Sequence, residues 1–206
     1  MNIFIGFGDI RRQTSKLPEI APNFACFWLL NFLRGRPPKF WTSNGVILDD
    51  KVVCFTDGSR SDHSGLAGAG VYVQTDEKKL VFPLGHHTTV FQAEVYALLI
   101  CAKLESLLHR NNCSIAICSD SSAVSAHKAT SGLVADAMSA LKTLAVYNSL
   151  RLIWVPGHCG IAGNEKADAL AKQASASYFT GPEPSVGISV STIYSSINEW
   201  TAHALT

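Results

Sequence analysis

"VVCFTDGSRSDHSGLAGAGVYV", residues 52–73, decides how the rest of the chain is read. Val53, Phe55 and Asp57 alternate onto one face, as in a β-strand, so an apolar strand leads into an acid followed by Gly58 and Ser59. A carboxylate at the mouth of an apolar strand costs several kcal/mol unless something offsets it. After a turn, "GLAGAGVYV" reads as a second strand. Its glycines 65, 68 and 70 suit a tight entry and close approach of neighbouring backbone.

Downstream the pattern stays regular. "KKLVFPL" (78–84) follows the charged turn Asp76-Glu77, which predicts antiparallel hairpins. From Val90 to His109 the period becomes helical, with Phe91, Val95, Leu98, Ala102 and Leu108 near one face. "SIAICSD" (114–120) is again a strand ending on an acid. "SSAVSAHKA" (121–129) and "VADAMSALKTLAVYN" (134–148) read as helices. "LRLIWVPG" (150–157) is a strand stopped by Pro-Gly, and "GNEKADALAKQAS" (163–175) a helix with Asn164 as its expected N-cap. The order β-β-β-α-β-α-α-β-α implies a mixed sheet flanked by helices. The first and fourth strands should be parallel neighbours.

Outside this region the signals weaken. Residues 1–50 carry Pro18, Pro22, Pro37 and Pro38, with one apolar run at 24–33, and read as a linker or the remnant of a preceding domain. Residues 178–206 read as a C-terminal extension, breaker-rich at first and then helical near 191–203. The 24–33 run is too short to span a bilayer and lacks a cleavage site, so neither a membrane span nor a signal peptide is expected. Six cysteines without metal-ligand spacing fit reduced thiols in a cytoplasmic or nuclear protein, not a secreted one. Lys and Arg number 11 against 10 acids over 51–177, far from the basic excess of a free-standing nucleic-acid binder.

Four acids then stand out. Asp57 and Asp120 end parallel neighbouring strands, so both are expected at one sheet edge, where open α/β sheets place ligands. Glu94, one turn into the long helix, and Asp168, in the second turn of the last, each border the face that packs inward. Taken singly, each has an ordinary reading: a turn, a solvated position, a helix cap, a pair with Lys172. Taken together, four carboxylates aimed at one place repel and need protons or cations. Oxygen-only ligands favour Mg²⁺ or Mn²⁺, and two such ions about 4 Å apart form a clamp for attack at phosphorus.

"FTDGS", "FQAEVYAL", "SDSS" and "WVPGHCGIAGNEKADALAKQA" together resemble the motifs of the type I ribonuclease H family over about residues 51–176, within a domain expected at 51–177. The last of these segments and the "TDGS…AGAGVYV" opening are especially similar to the ribonuclease H domains of non-LTR retrotransposons. The resemblance implies an α/β ribonuclease H-like fold, with a five-stranded mixed sheet in the order 3-2-1-4-5. It implies endonucleolytic hydrolysis of the RNA strand of RNA–DNA hybrids, with two Mg²⁺ or Mn²⁺ ions and no small-molecule cofactor. Asp57, Glu94, Asp120 and Asp168 match the metal-binding acids, and His158 matches the histidine that assists proton transfer. Gly58, Ser59, Gln92, Ser121 and Asn164 fall at or near substrate-contacting positions. Two features depart from the pattern: Val90 and Phe91 replace polar residues upstream of the glutamate, and no basic insertion helix precedes the last strand. Both fit reliance on a covalently attached or associated reverse transcriptase domain. The competing readings are a DNA nuclease or transposase of the same fold and an inactive module of that fold.

Overall fold

The computed structural model describes residues 51–121 and 131–204, together with the short strands at 3–5, 41–42 and 45–46. In chain order the elements are β1 (Ile3–Ile5), β2 (Trp41–Thr42), β3 (Gly45–Val46), β4 (Val52–Arg60), β5 (Ala67–Val73), β6 (Lys78–Gly85), α1 (Val90–Leu107), β7 (Ser114–Ser119), α2 (Gly132–Tyr147), β8 (Ser149–Trp154), α3 (Ala162–Ser175) and α4 (Val190–Ala204). The apolar run at 24–33 and the helix expected at 121–129 lie outside the described residues, apart from Ser121.

Strands β4 to β8 form a mixed sheet in the order β6-β5-β4-β7-β8, which is 3-2-1-4-5 counted from β4. The two hairpin pairings are antiparallel; β4 with β7 and β7 with β8 are parallel. The stretch expected to be a linker contributes one strand, β1, which lies parallel to β8 as a sixth strand, and the small antiparallel pair β2–β3. Strands of two or three residues carry too few alternating positions to stand out in a sequence.

Sheet alternation sends the two faces of β4 into separate cores. Val52 and Cys54 join the cluster under α1 and α2, with Leu98, Ile115, Ile117 and Leu144. Val53 and Phe55 face α3, with Tyr72, Cys118, Ile161 and Leu170. Burying a side chain such as Phe55 contributes about 1.5–3 kcal/mol. Asp57 continues the Val53–Phe55 alternation onto the α3 side. Gly68 and Gly70 of β5 let α3 lie directly on the sheet: a Cβ at Gly70 would stand 2.5 Å from the Ala167 carbonyl oxygen and the Ala171 nitrogen.

Two local expectations are corrected. Phe91 and Leu108 do not lie on the buried face of α1; both are exposed. The helix is covered by the sheet and by α2, so its buried arc is broad, and these residues fall at its two ends. At the far end of α1, fully buried Glu105 accepts a 2.6 Å bond from Arg110 Nε, and Arg110 also pairs with Asp76 in the β5–β6 turn. No helix among the described residues is long and apolar enough to cross a membrane.

Candidate active site

Strand β4 does not stop at Asp57. It runs on to Arg60 because β5 supplies partners throughout, with Asp57 opposite Gly70. It is β7 that stops. Phe55 is in register with Cys118, so two residues further along both chains stand Asp57 and Asp120, the latter just past the strand end. The parallel pairing therefore places the two acids side by side at the rim.

Asp57 is buried, at 7% exposure, and no side chain among the described residues bonds to it. Its carboxyl is pushed up from 3.8 to about 8, first by burial, then by Asp120, with further contributions from Asp168 and Glu94; a backbone hydrogen bond from Gly58 pulls the other way. Asp120, Asp168 and Glu94 thus all stand within electrostatic reach of Asp57.

Glu94 arrives from the opposite layer. Thr89 caps α1 in a capping box: Gln92 N donates to Thr89 Oγ1 (3.2 Å) and Thr89 N donates to Gln92 Oε1 (3.1 Å). Two residues on, Glu94 Oε2 accepts a short bond from Ser121 Oγ. Burial raises the Glu94 carboxyl, the Ser121 hydroxyl opposes that, and Asp120 adds to it. Asp120 is held at two points: Asn164 Nδ2 donates to its Oδ2 (3.0 Å), and Trp154 Nε1 donates to its backbone oxygen (2.9 Å). Asp168 Oδ2 accepts from Lys172 Nζ at 2.7 Å, one turn along α3.

His158 is exposed in the loop between β8 and α3, with φ at +54°, in the left-handed region. No hydrogen bond or ion pair ties it to the acids. That loop is fastened to α3 by Gly160 N donating to Glu165 Oε1 (3.1 Å). It also passes close to Asp120, since a Cβ on Gly157 would meet Asp120 Oδ2 at 2.7 Å.

The remaining residues marked in the sequence divide in two. Gly58 and Ser59 stay half-buried on β4 beside Asp57. Gln92, Ser121 and Asn164 are buried and bond within the protein: Gln92 with Thr89 and Gly187, Ser121 with Glu94, and Asn164, through its Nδ2, with Asp120. Asn164 is not the N-cap of α3. The helix begins at Ala162 behind Ile161, so Asn164 is already within it, turned to Asp120. Trp154 and Gly157 were not marked as site residues. The only trace of them in the sequence is the string "WVPG" itself.

The donor set consists of carboxylate oxygens, as hard divalent cations require. As they stand, no three acidic, histidine or cysteine side chains among the described residues are gathered closely enough to hold a metal. Each of Glu94, Asp120 and Asp168 is drawn instead to a neutral or cationic side chain. Asn164 Oδ1, beside Asp120, is buried without a hydrogen-bond partner. The cluster fits divalent cations in chemistry and carries negative charge that cations would relieve.

Residues 49–176 match the RNase H family model. The chain belongs to the RNase H family. It is 31% identical over 149 residues to "Ribonuclease H" of Neisseria meningitidis serogroup C / serotype 2a, covering 64% of this chain and 99% of that protein. The crystal structure of RNase H1 from the halophilic archaeon Halobacterium salinarum NRC-1 is similar at TM-score 0.47 and 24% identity, over 60% of this chain and 96% of the other. Family membership makes the chain a ribonuclease H by class, and the acids at the β4–β7 rim are its candidate catalytic groups.

Proposed function

We propose that the chain cleaves the RNA strand of RNA–DNA hybrids by divalent-metal-dependent phosphodiester hydrolysis. The observation that carries this reading is Asp57: a buried carboxylate, raised to about 8 by burial and by three neighbouring acids, with no bonded side-chain partner among the described residues. Asp57, Glu94, Asp120 and Asp168 would hold two Mg²⁺ or Mn²⁺ ions. Bound there, the ions would supply Lewis-acid stabilisation of charge on the attacking and leaving oxygens.

The chain's own residues do the rest. Asn164 and Trp154 orient Asp120, and Ser121 orients Glu94. Gly58 and Ser59, beside Asp57, contact the sugar–phosphate backbone, where the 2′-hydroxyls distinguish RNA from DNA. His158, exposed on its loop, accepts or returns a proton at the imidazole. With only a slight basic excess over 51–177, affinity for a polyanion comes largely from an attached or associated reverse transcriptase domain, as in a retrotransposon polyprotein acting in the cytoplasm or nucleus.

The test is cleavage of end-labelled RNA–DNA hybrid, duplex RNA and duplex DNA by the full chain, with Mg²⁺, with Mn²⁺ and with EDTA. Asp57→Asn runs alongside. Cutting confined to the hybrid's RNA strand, dependent on metal and on Asp57, is expected. Metal-dependent cutting of duplex DNA would assign the fold to a DNA nuclease instead, and no cutting of any substrate would leave an inactive module.

A further inference from the structure

The family match ends at residue 176, yet the chain beyond it returns to the start of α1, the helix that carries Glu94. Residues 183–187 run along the connection between β6 and α1. Glu183 accepts from the His86 backbone amide (3.3 Å to Oε2) and lies 3.6 Å from His87 Nε2. Ser185 Oγ donates to the Leu84 carbonyl (2.5 Å), the same oxygen that takes a 2.9 Å bond from the fully buried Thr88 hydroxyl. Gln92 Nε2 donates to the Gly187 carbonyl.

Gly85 records how close this approach is. Its φ is +77°, and a Cβ there would fall 2.5 Å from Glu183 Oε1. Every polar contact in the set lands on residues 84–92. One of them grips Gln92, whose amide oxygen completes the α1 cap, and Glu94 follows two residues later.

We infer that residues 183–187 are a strap that fixes the first turn of α1, and that Glu183 and Ser185 are positioning residues for Glu94. This deepens the hydrolytic reading and rests on it. The functional nuclease unit then extends to at least Gly187. Composition favours positioning over substrate binding: residues 178–206 contain no Lys or Arg and two acids, so the segment adds no attraction for a polyanion.

The test uses the full chain carrying Glu183→Ala and Ser185→Ala together. Three quantities are measured: kcat and KM on the hybrid, thermal midpoint, and amide hydrogen exchange. The amides of Gln92 and Ala93 are the informative ones, because they bond to Thr89 in the cap. A drop in kcat of about tenfold is expected, with KM within twofold and the midpoint little changed. Exchange at Gln92 and Ala93 should quicken selectively. The pair Glu183→Gln and Ser185→Thr, which keeps both hydrogen bonds, should restore kcat and exchange.

Unchanged exchange and unchanged kcat would overturn the strap, as would a rise in kcat or a fall in KM, which would mark the segment as a cover over the site. If the unaltered chain cuts no hybrid, the functional reading fails, and the exchange measurement alone still decides whether 183–187 hold the helix.

Discussion

Gly58 and Glu94 are in direct backbone contact across two layers of the fold: a Cβ on Gly58 would lie 2.3 Å from the Glu94 nitrogen and 2.7 Å from the Ala93 carbonyl carbon. Gly58→Ala must therefore push α1 away from β4. Overpacking of this kind costs about 1–3 kcal/mol. The displaced Glu94 should also lose about tenfold or more in hybrid cleavage. Urea denaturation and cleavage rates check both. Gly132→Ala serves as control, because nothing lies within 4 Å of its missing Cβ.

Asp57 sets a pH dependence of stability in the absence of divalent cations. Its carboxyl titrates near 3.8 when unfolded and at about 8 when folded. The folded chain thus holds this proton more tightly. That contribution to stability is complete below about pH 4 and is lost as pH rises to about 8. Burial raises Glu94 in the same direction. Unfolding free energies from urea titrations with EDTA should fall from pH 5 to 8, by an amount on the order of a few kcal/mol. Asp57→Asn should flatten most of that slope. The same variant should lose about a thousandfold in activity, the equivalent of several kcal/mol.

Asn164→Ala removes the 3.0 Å donor that holds Asp120. A kcat loss of about ten- to a hundredfold is expected from misplacing that carboxylate. KM should hold if Asn164 acts through Asp120, and should rise if it also touches the hybrid. Steady-state kinetics separate the two.

Arg110→Met strands Glu105, a buried carboxylate whose bonded oxygen depends on that guanidinium and whose Oε1 already lacks a hydrogen-bond partner. Burial pushes Glu105 up, and Arg110 is the main group that pulls it back, with a smaller contribution from Lys78. Leaving a buried charge unpaired costs about 3–5 kcal/mol. The double variant Glu105→Leu with Arg110→Met should recover most of the loss in denaturant midpoint.

Much of this arrangement was legible because it repeats at short range. The alternation of Val53, Phe55 and Asp57 gave both the strand and the face of the acid, and the order of strands and helices gave the parallel pairing that brings Asp120 alongside. Where a strand ends was not legible: β4 continues past Asp57 because β5 lies opposite, and that partner is not written in the residues of β4. Asn164 looked like a cap because its type favours caps, yet its position relative to Asp120 outweighed that preference. The segment at 183–187 was invisible for a related reason. Its bonds join sites about a hundred residues apart, each through a backbone amide or carbonyl that any side chain could accompany.

The glycines have a consequence for anyone surveying this chain by substitution. Gly58 meets Glu94, Gly70 meets α3, Gly157 meets Asp120 and Gly163 meets the Phe55 ring, each at 2.7 Å or less once a Cβ is added. A screen scored by turnover would flag these four as strongly as the acids themselves. Intolerance at Gly70, Gly157 and Gly163 would report main chain that must pass close to a neighbouring backbone or side chain, so a map of inactivating changes would draw the reactive centre wider than the set of groups that ever meets nucleic acid.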